Sequence, residues 1–159
     1  MSCIVKTVDE ILQAEFNLPM GLADTSKITV ERSIDQSKDK RFSDGKKKET
    51  VKIHKVQLLD PATGTGTFLA EAVSRIHDKF NGQAGMWQGY VGEHLLPRLN
   101  GFELLMTSYT MAHLKLDWIL TETGYKADDN ERLRVFLTNS LEEHHKDTGT
   151  PVSYTHLTL

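Results

Sequence analysis

Hydrophobic positions along the chain change period several times, and each change marks an element. Ile4, Val5, Val8, Ile11, Leu12 and Phe16 recur at three- and four-residue steps, which predicts an amphipathic helix over 4–16. Asn17 to Gly21, with Pro19, ends it, and Asp24-Thr25-Ser26 is a polar turn. Two β-leaning stretches follow, Lys27 to Glu31 and Thr50 to Val56, read as a long hairpin whose tip runs from Lys38 to Lys48. Val56 to Leu59 has the look of a short buried strand, and Asp60 to Gly66 that of a tight turn. A helix is expected over Thr67 to Phe80, with Phe68, Leu69, Ala72, Val73 and Ile76 on one face. The glycine-rich stretch Gly82 to Gly92 reads as a loop, and Glu93 to Leu96 as a helical turn before Pro97. Leu99 to Phe102 is a second strand. Glu103 to Thr123 is a long helix with Leu105, Tyr109, Ala112, Leu116, Ile119 and Leu120 inward and Gly124 as its cap. After a polar turn over Asp128 to Glu131, Leu133 to Thr138 is a third strand with Asn139 at its end. Strand, helix, strand, helix, strand is an α/β order and calls for a parallel sheet with right-handed crossovers.

Composition narrows the class. The 159 residues are 38% hydrophobic and 26% charged, which excludes a disordered or collagen-like chain. No apolar run approaches the roughly 20 residues of a membrane span, and the first residues lack a basic-then-apolar leader pattern. A single cysteine, Cys3, excludes a disulfide framework. The expected compartment is therefore the cytoplasm. The net charge of −3 argues against whole-chain attraction to nucleic acid, and the lysines of the hairpin tip read most simply as a solvated loop. No His-x-Glu or Cys-x-x-Cys spacing supports a metal centre, and adjacent His144 and His145 suit a solvated end. His113, mid-helix, reads as a half-buried, satisfied histidine.

Chemistry concentrates in Leu58-Leu59-Asp60-Pro61-Ala62-Thr63-Gly64-Thr65-Gly66-Thr67-Phe68-Leu69, a strand–turn–helix. The carboxyl end of a strand in an open α/β sheet is where ligands bind, and glycines let a ligand approach the backbone. The helix after the turn offers N–H groups and a positive dipole end. No lysine follows the glycines, so a phosphate-cradling loop fails. A dinucleotide fingerprint fails too, because Leu69 stands where its third glycine should be. Asp60 would repel a pyrophosphate and suits a ligand with positive charge. S-adenosylmethionine carries a sulfonium and an ammonium, and its carboxylate can sit at the helix N-terminus. Bland roles compete at each position. Asp60 could cap the helix turn, Glu103 could be a first-turn acid, and Asn139 could end a strand.

The segment Asp60 to Phe68 resembles motif I of the N6-adenine DNA methyltransferases. Leu95 to Met106, continuing through His113-Leu114-Lys115-Leu116, and Arg132 to Glu142 resemble later blocks of one branch. That branch is the methylase segment of single-polypeptide restriction–modification enzymes, which also carry helicase and nuclease segments. The resemblance implies a partial Rossmann-like S-adenosylmethionine-dependent methyltransferase fold. Its first three strands would lie side by side in the order 3-2-1. It also implies S-adenosyl-L-methionine as cofactor and DNA as partner of the parent enzyme. Asp60, Ala62, Thr63, Gly64, Gly66 and Thr67 would hold the methionine end. Glu103 would accept the ribose hydroxyls, Leu104 would pack on the adenine, and Asn139 would lie near the adenine amino group. The family performs methyl transfer with an Asp/Asn-Pro-Pro-Tyr/Phe motif. Pro19, Pro61, Pro97 and Pro151 are never adjacent, so no residue here is assigned that step.

The expected divisions are 1–24, an N-terminal helical segment; 25–55, the hairpin with its basic loop; 56–145, the cofactor-binding half; and 146–159, a tail. The stretch Val152 to Leu159 departs from the family and is expected to be foreign to it. A second reading is a non-catalytic methyltransferase-like module for DNA recognition or scaffolding. A third is methylation of RNA or of a protein glutamine.

Overall fold

The computed structural model describes residues 2–35, 46–127 and 131–141. The tail, His144, His145 and residues 38–45 of the expected hairpin tip lie outside these. In chain order the elements are α1 (Ser2–Ala14), β1 (Lys27–Asp35), β2 (Lys46–His54), β3 (Leu58–Asp60) and α2 (Thr67–Asp78). They continue with α3 (Ala84–Tyr90), β4 (Leu99–Glu103), α4 (Met106–Glu122) and β5 (Arg134–Leu137). The strands β3, β4 and β5 form a parallel sheet with β4 in the centre, matching the expected order. This is a mixed α/β architecture of partial Rossmann-like type. Strands β1 and β2 form a separate antiparallel ribbon.

The sheet's register sorts its residues. Leu58 pairs with Leu99 and Gly101 with Val135, and this set is covered by the helices. Helices α2 and α4 pack on each other and on the strands, while α1 packs on α2. Val73, Ile76, Ala112 and Leu116 between them are wholly buried. At the opposite face Leu59 is 56% exposed, and the Phe102 and Phe136 rings pair at 6.1 Å.

Three expectations are corrected. Within the expected loop Gly82 to Gly92 the chain is helical from Ala84 on: α3 continues through a π turn, Val91–Leu95, and a 3-10 turn, Leu96–Arg98. Trp87, Tyr90 and Val91 are all buried, one face of a helix docked on Phe80 and His77. That burial outweighs the helix penalty of about 1 kcal/mol per glycine. The second correction concerns α1. Its docked stripe is Val5, Asp9 and Leu12, whereas Ile4, Val8, Ile11 and Phe16 are 40–61% exposed. An ion cluster turns the helix. Asp9, fully buried, accepts hydrogen bonds from Leu22 N–H (2.8 Å), Arg75 Nε (3.2 Å) and Lys79 Nζ. In addition, Phe68 of α2 and Leu105 ahead of α4 stay exposed where an inward position was expected.

Candidate functional site

The turn between β3 and α2 is fixed from below by its own backbone. Thr63 N–H bonds Phe102 O (2.9 Å), Gly66 N–H bonds Thr63 O (2.9 Å), and Thr63 Oγ1 bonds Asp60 O (3.1 Å). Thr63 is therefore buried, and it serves the turn through its backbone and an inward hydroxyl. Gly64 and Gly66 have φ of 55° and 76°, a region L side chains seldom adopt. Their surroundings differ. A Cβ on Gly66 would lie 3.1 Å from Ala112 Cα, so α4 presses on the turn there. A Cβ on Gly64 would meet only Ala62 O, at 4.0 Å, so that side is open.

Glu103, at the end of β4, reaches the open side. Its Oε2 accepts Gly64 N–H (2.7 Å), its Oε1 accepts Leu105 N–H (2.8 Å), and its carbonyl accepts Thr138 N–H (2.8 Å). One carboxylate thus joins the glycine turn, the central strand and the step into α4. Two acceptor bonds use about half of what a carboxylate can accept. The Gly64 N–H is consequently engaged by Glu103. The outward donors are those of the first turn of α2, since the first bond within the helix is Ala70 N–H to Gly66 O (2.9 Å).

Asp60 ends β3 at the head of the turn. Its Oδ1 accepts Ala62 N–H (3.2 Å), while its Oδ2 is shielded from solvent and has no hydrogen-bond partner. A lone buried carboxylate oxygen costs free energy unless a donor or cation meets it. Across the turn, Lys115 of α4 donates to Thr67 Oγ1 (2.9 Å), and Thr67 Oγ1 lies 3.3 Å from Thr65 Oγ1. The Lys115 ammonium therefore adds positive charge to the dipole end of α2. Nothing in its spacing singles Lys115 out in sequence; the crossing of α2 and α4 puts it there.

Of the expected site residues, the structure brings together Asp60, Ala62, Thr63, Gly64, Gly66, Thr67 and Glu103. Leu104 follows Glu103 and is 63% exposed. Asn139 lies two residues past β5, where its Oδ1 accepts Leu141 N–H (3.1 Å), a turn-residue bond. His113 is half-buried, with Nε2 3.3 Å from Val135 O. Among the described residues no group of three or more His, Cys, Asp and Glu is placed to hold a metal ion. Nor is any described helix long and apolar enough to cross a membrane.

No protein-family model matches the chain, and no curated protein matches it. A solved structure does share its fold: a nuclease-deletion mutant of the Type ISP restriction-modification enzyme LlaGI, in complex with a DNA substrate mimic. The TM-score is 0.56 at 19% identity over 87% of this chain. This chain spans 9% of that enzyme's length. At such identity the likeness is one of fold.

Proposed function

We infer that this chain forms the S-adenosyl-L-methionine-binding part of an N6-adenine DNA methyltransferase of the restriction–modification kind. The parent polypeptide would also carry helicase and nuclease segments. The observation that carries the reading is the rim of the turn. Asp60, at the head of the turn, keeps an unpartnered oxygen, and a half-used Glu103 carboxylate accepts from Gly64, whose Cβ direction is open. A ligand with a cation at one end and a diol further along fits that pair. Asp60 would hold the ammonium, and Glu103 would accept ribose hydroxyls without releasing both backbone amides. The first turn of α2, reinforced by Lys115, would hold the carboxylate. Exposed Leu104 would lie against the adenine. The cofactor supplies an electrophilic methyl group, and these residues bind and orient it. The likeness to a segment of a restriction-modification enzyme supports the choice of parent reaction.

Calorimetric titration of the chain with S-adenosylhomocysteine tests the reading. The expected result is one binding event, weakened in both Asp60→Ala and Glu103→Ala while circular dichroism shows each variant folded. No heat of binding, or equal affinity in all three proteins, would overturn it.

A further inference from the structure

Charge is unevenly spread along this chain. Residues 27–55 hold ten Lys and Arg against five Asp and Glu, a net of +5, so the rest carries −8. The structure also moves part of that charge out of the expected loop. Pairing in the ribbon continues to Asp35 and Lys46, which makes Lys46, Lys47 and Lys48 ladder positions of β2. A lysine on a ladder has a fixed spacing, which one on a solvated loop lacks.

That spacing is informative. Across the ladder Lys46 pairs with Asp35, Lys48 with Ser33 and Lys52 with Thr29. Lys46, Lys48 and Lys52 are separated by steps of two and four residues, with Thr50 between the last two, and so belong to one face register. A two-residue step along a strand is about 6.8 Å, roughly twice the ~3.4 Å rise per phosphate on one strand of a duplex. The other register holds Ile28, Val30, Val51 and Ile53, of which Ile28, Val30 and Ile53 are exposed. On β1, Lys27 and Arg32 are balanced by Glu31 and Asp35, while on β2 four lysines face only Glu49, so the cationic excess follows β2.

The ribbon is held at its base by His54, which is buried with Nε2 2.9 Å from His94 Nδ1, and the Lys55 N–H to Ser26 O bond at 2.9 Å closes the ladder there. Two paired strands are also the size that B-form duplex DNA admits in its major groove. We propose that the β1–β2 ribbon is a duplex-DNA contact, with Lys46, Lys48 and Lys52 spaced along one phosphate strand. The choice of DNA over RNA rests on the methyltransferase reading above; the polyanion contact itself rests on the ribbon.

Fluorescence anisotropy of the full chain on a labelled DNA duplex, over a salt series, tests this. The variant Lys46→Ala/Lys48→Ala/Lys52→Ala is expected to bind at least tenfold more weakly at low salt. Its plot of log affinity against log salt should flatten by about 0.9 for each lost contact. A charge-matched control, Lys6→Ala/Lys126→Ala/Arg132→Ala, should bind like the parent chain, and Lys46→Arg/Lys48→Arg/Lys52→Arg should retain binding. Equal behaviour of the alanine triple and the control would overturn the proposal, as would failure of the arginine triple to bind. Tighter binding to an RNA duplex would overturn the choice of DNA. Titrating the alanine triple with S-adenosylhomocysteine separates the two readings. Unchanged cofactor binding with lost DNA binding supports the ribbon; lost cofactor binding in that variant overturns its independence from the site.

Discussion

Asp9 and Glu103 are both carboxylates that tie together residues distant in sequence, and they do it in opposite ways. Asp9 is fully buried, and its two oxygens are taken by Lys79, Arg75 and the Leu22 N–H. Burial alone would raise its pKa, but Lys79, the Leu22 amide and Arg75 together hold it below the ordinary 3.8. Glu103 is half-buried and accepts two neutral backbone amides, with no cation on it among the described contacts. One carboxylate is saturated and closed, as suits a scaffold. The other keeps acceptor capacity beside an open glycine, as suits a site. The difference lies in what surrounds each acid, since charge and residue type are nearly the same.

The sharpest way to break the comparison is Asp9→Ala. It strips the acid from two cations and leaves the Leu22 amide without its acceptor. The expected loss is about 3 kcal/mol, the lower end for a broken buried pair because Arg75 and Lys79 retain some solvent. Urea unfolding measures it, and a loss under about 1 kcal/mol would show that the cluster holds nothing together. Next come the two glycines of the turn. Gly66→Ala adds contact with the α4 backbone to the strain of positive φ, so a loss of about 2 kcal/mol is expected. Gly64→Ala has strain without collision, and about 1 kcal/mol is expected. If the open side is the ligand's, Gly64→Ala should nevertheless do more harm to S-adenosylhomocysteine binding per unit of stability lost. The reverse order in calorimetry would place the ligand elsewhere.

Glu103→Gln is gentler. It keeps the shape and one acceptor oxygen but loses the charge and half of the acceptor capacity. Affinity for S-adenosylhomocysteine should fall about tenfold, roughly 1.4 kcal/mol, and stability by about 1 kcal/mol, because the new NH2 faces one of the two backbone amides the carboxylate accepts. A variant that binds normally and unfolds early would make Glu103 a second Asp9, a scaffold acid.

Most of this arrangement was legible in the chain. Three apolar strand segments separated by 3.6-period helices sufficed for the parallel sheet, because both signals are local. The glycine turn and Glu103 were legible for the same reason, each sitting where a strand runs out. Three features were not. The helix Ala84–Tyr90 hides behind glycines, and only its docking on Phe80 and His77 explains it. The buried Asp9 looks like any polar position of an amphipathic helix until α2 brings Arg75 and Lys79 to it. Lys115 meets Thr67 through a helix crossing that no spacing along either helix announces. Non-local electrostatics, then, is what the linear pattern conceals.

The smallest effect distinguishes Asp9 from the histidine pair at the ribbon's base. Desolvation, then Lys27 and Arg98, push the pKa of His54 below 6.5; desolvation and Lys27 do so for His94, partly offset by Glu93. When both rings are neutral, one N–H donates to the other ring's free nitrogen. Below pH 6.5 the unfolded chain takes up protons that the folded pair resists. Stability is therefore full above 6.5 and declines as pH falls from there toward the lowered folded values. Asp9 contributes in a separate window, since its lowered pKa keeps its stabilisation intact until pH drops below 3.8. Urea midpoints taken at pH 7.5 and pH 5.5 should fall in the parent chain and fall less in His54→Gln, which keeps a polar partner for His94 without titrating. Equal falls in both proteins would mean that the ribbon's base does not sense pH.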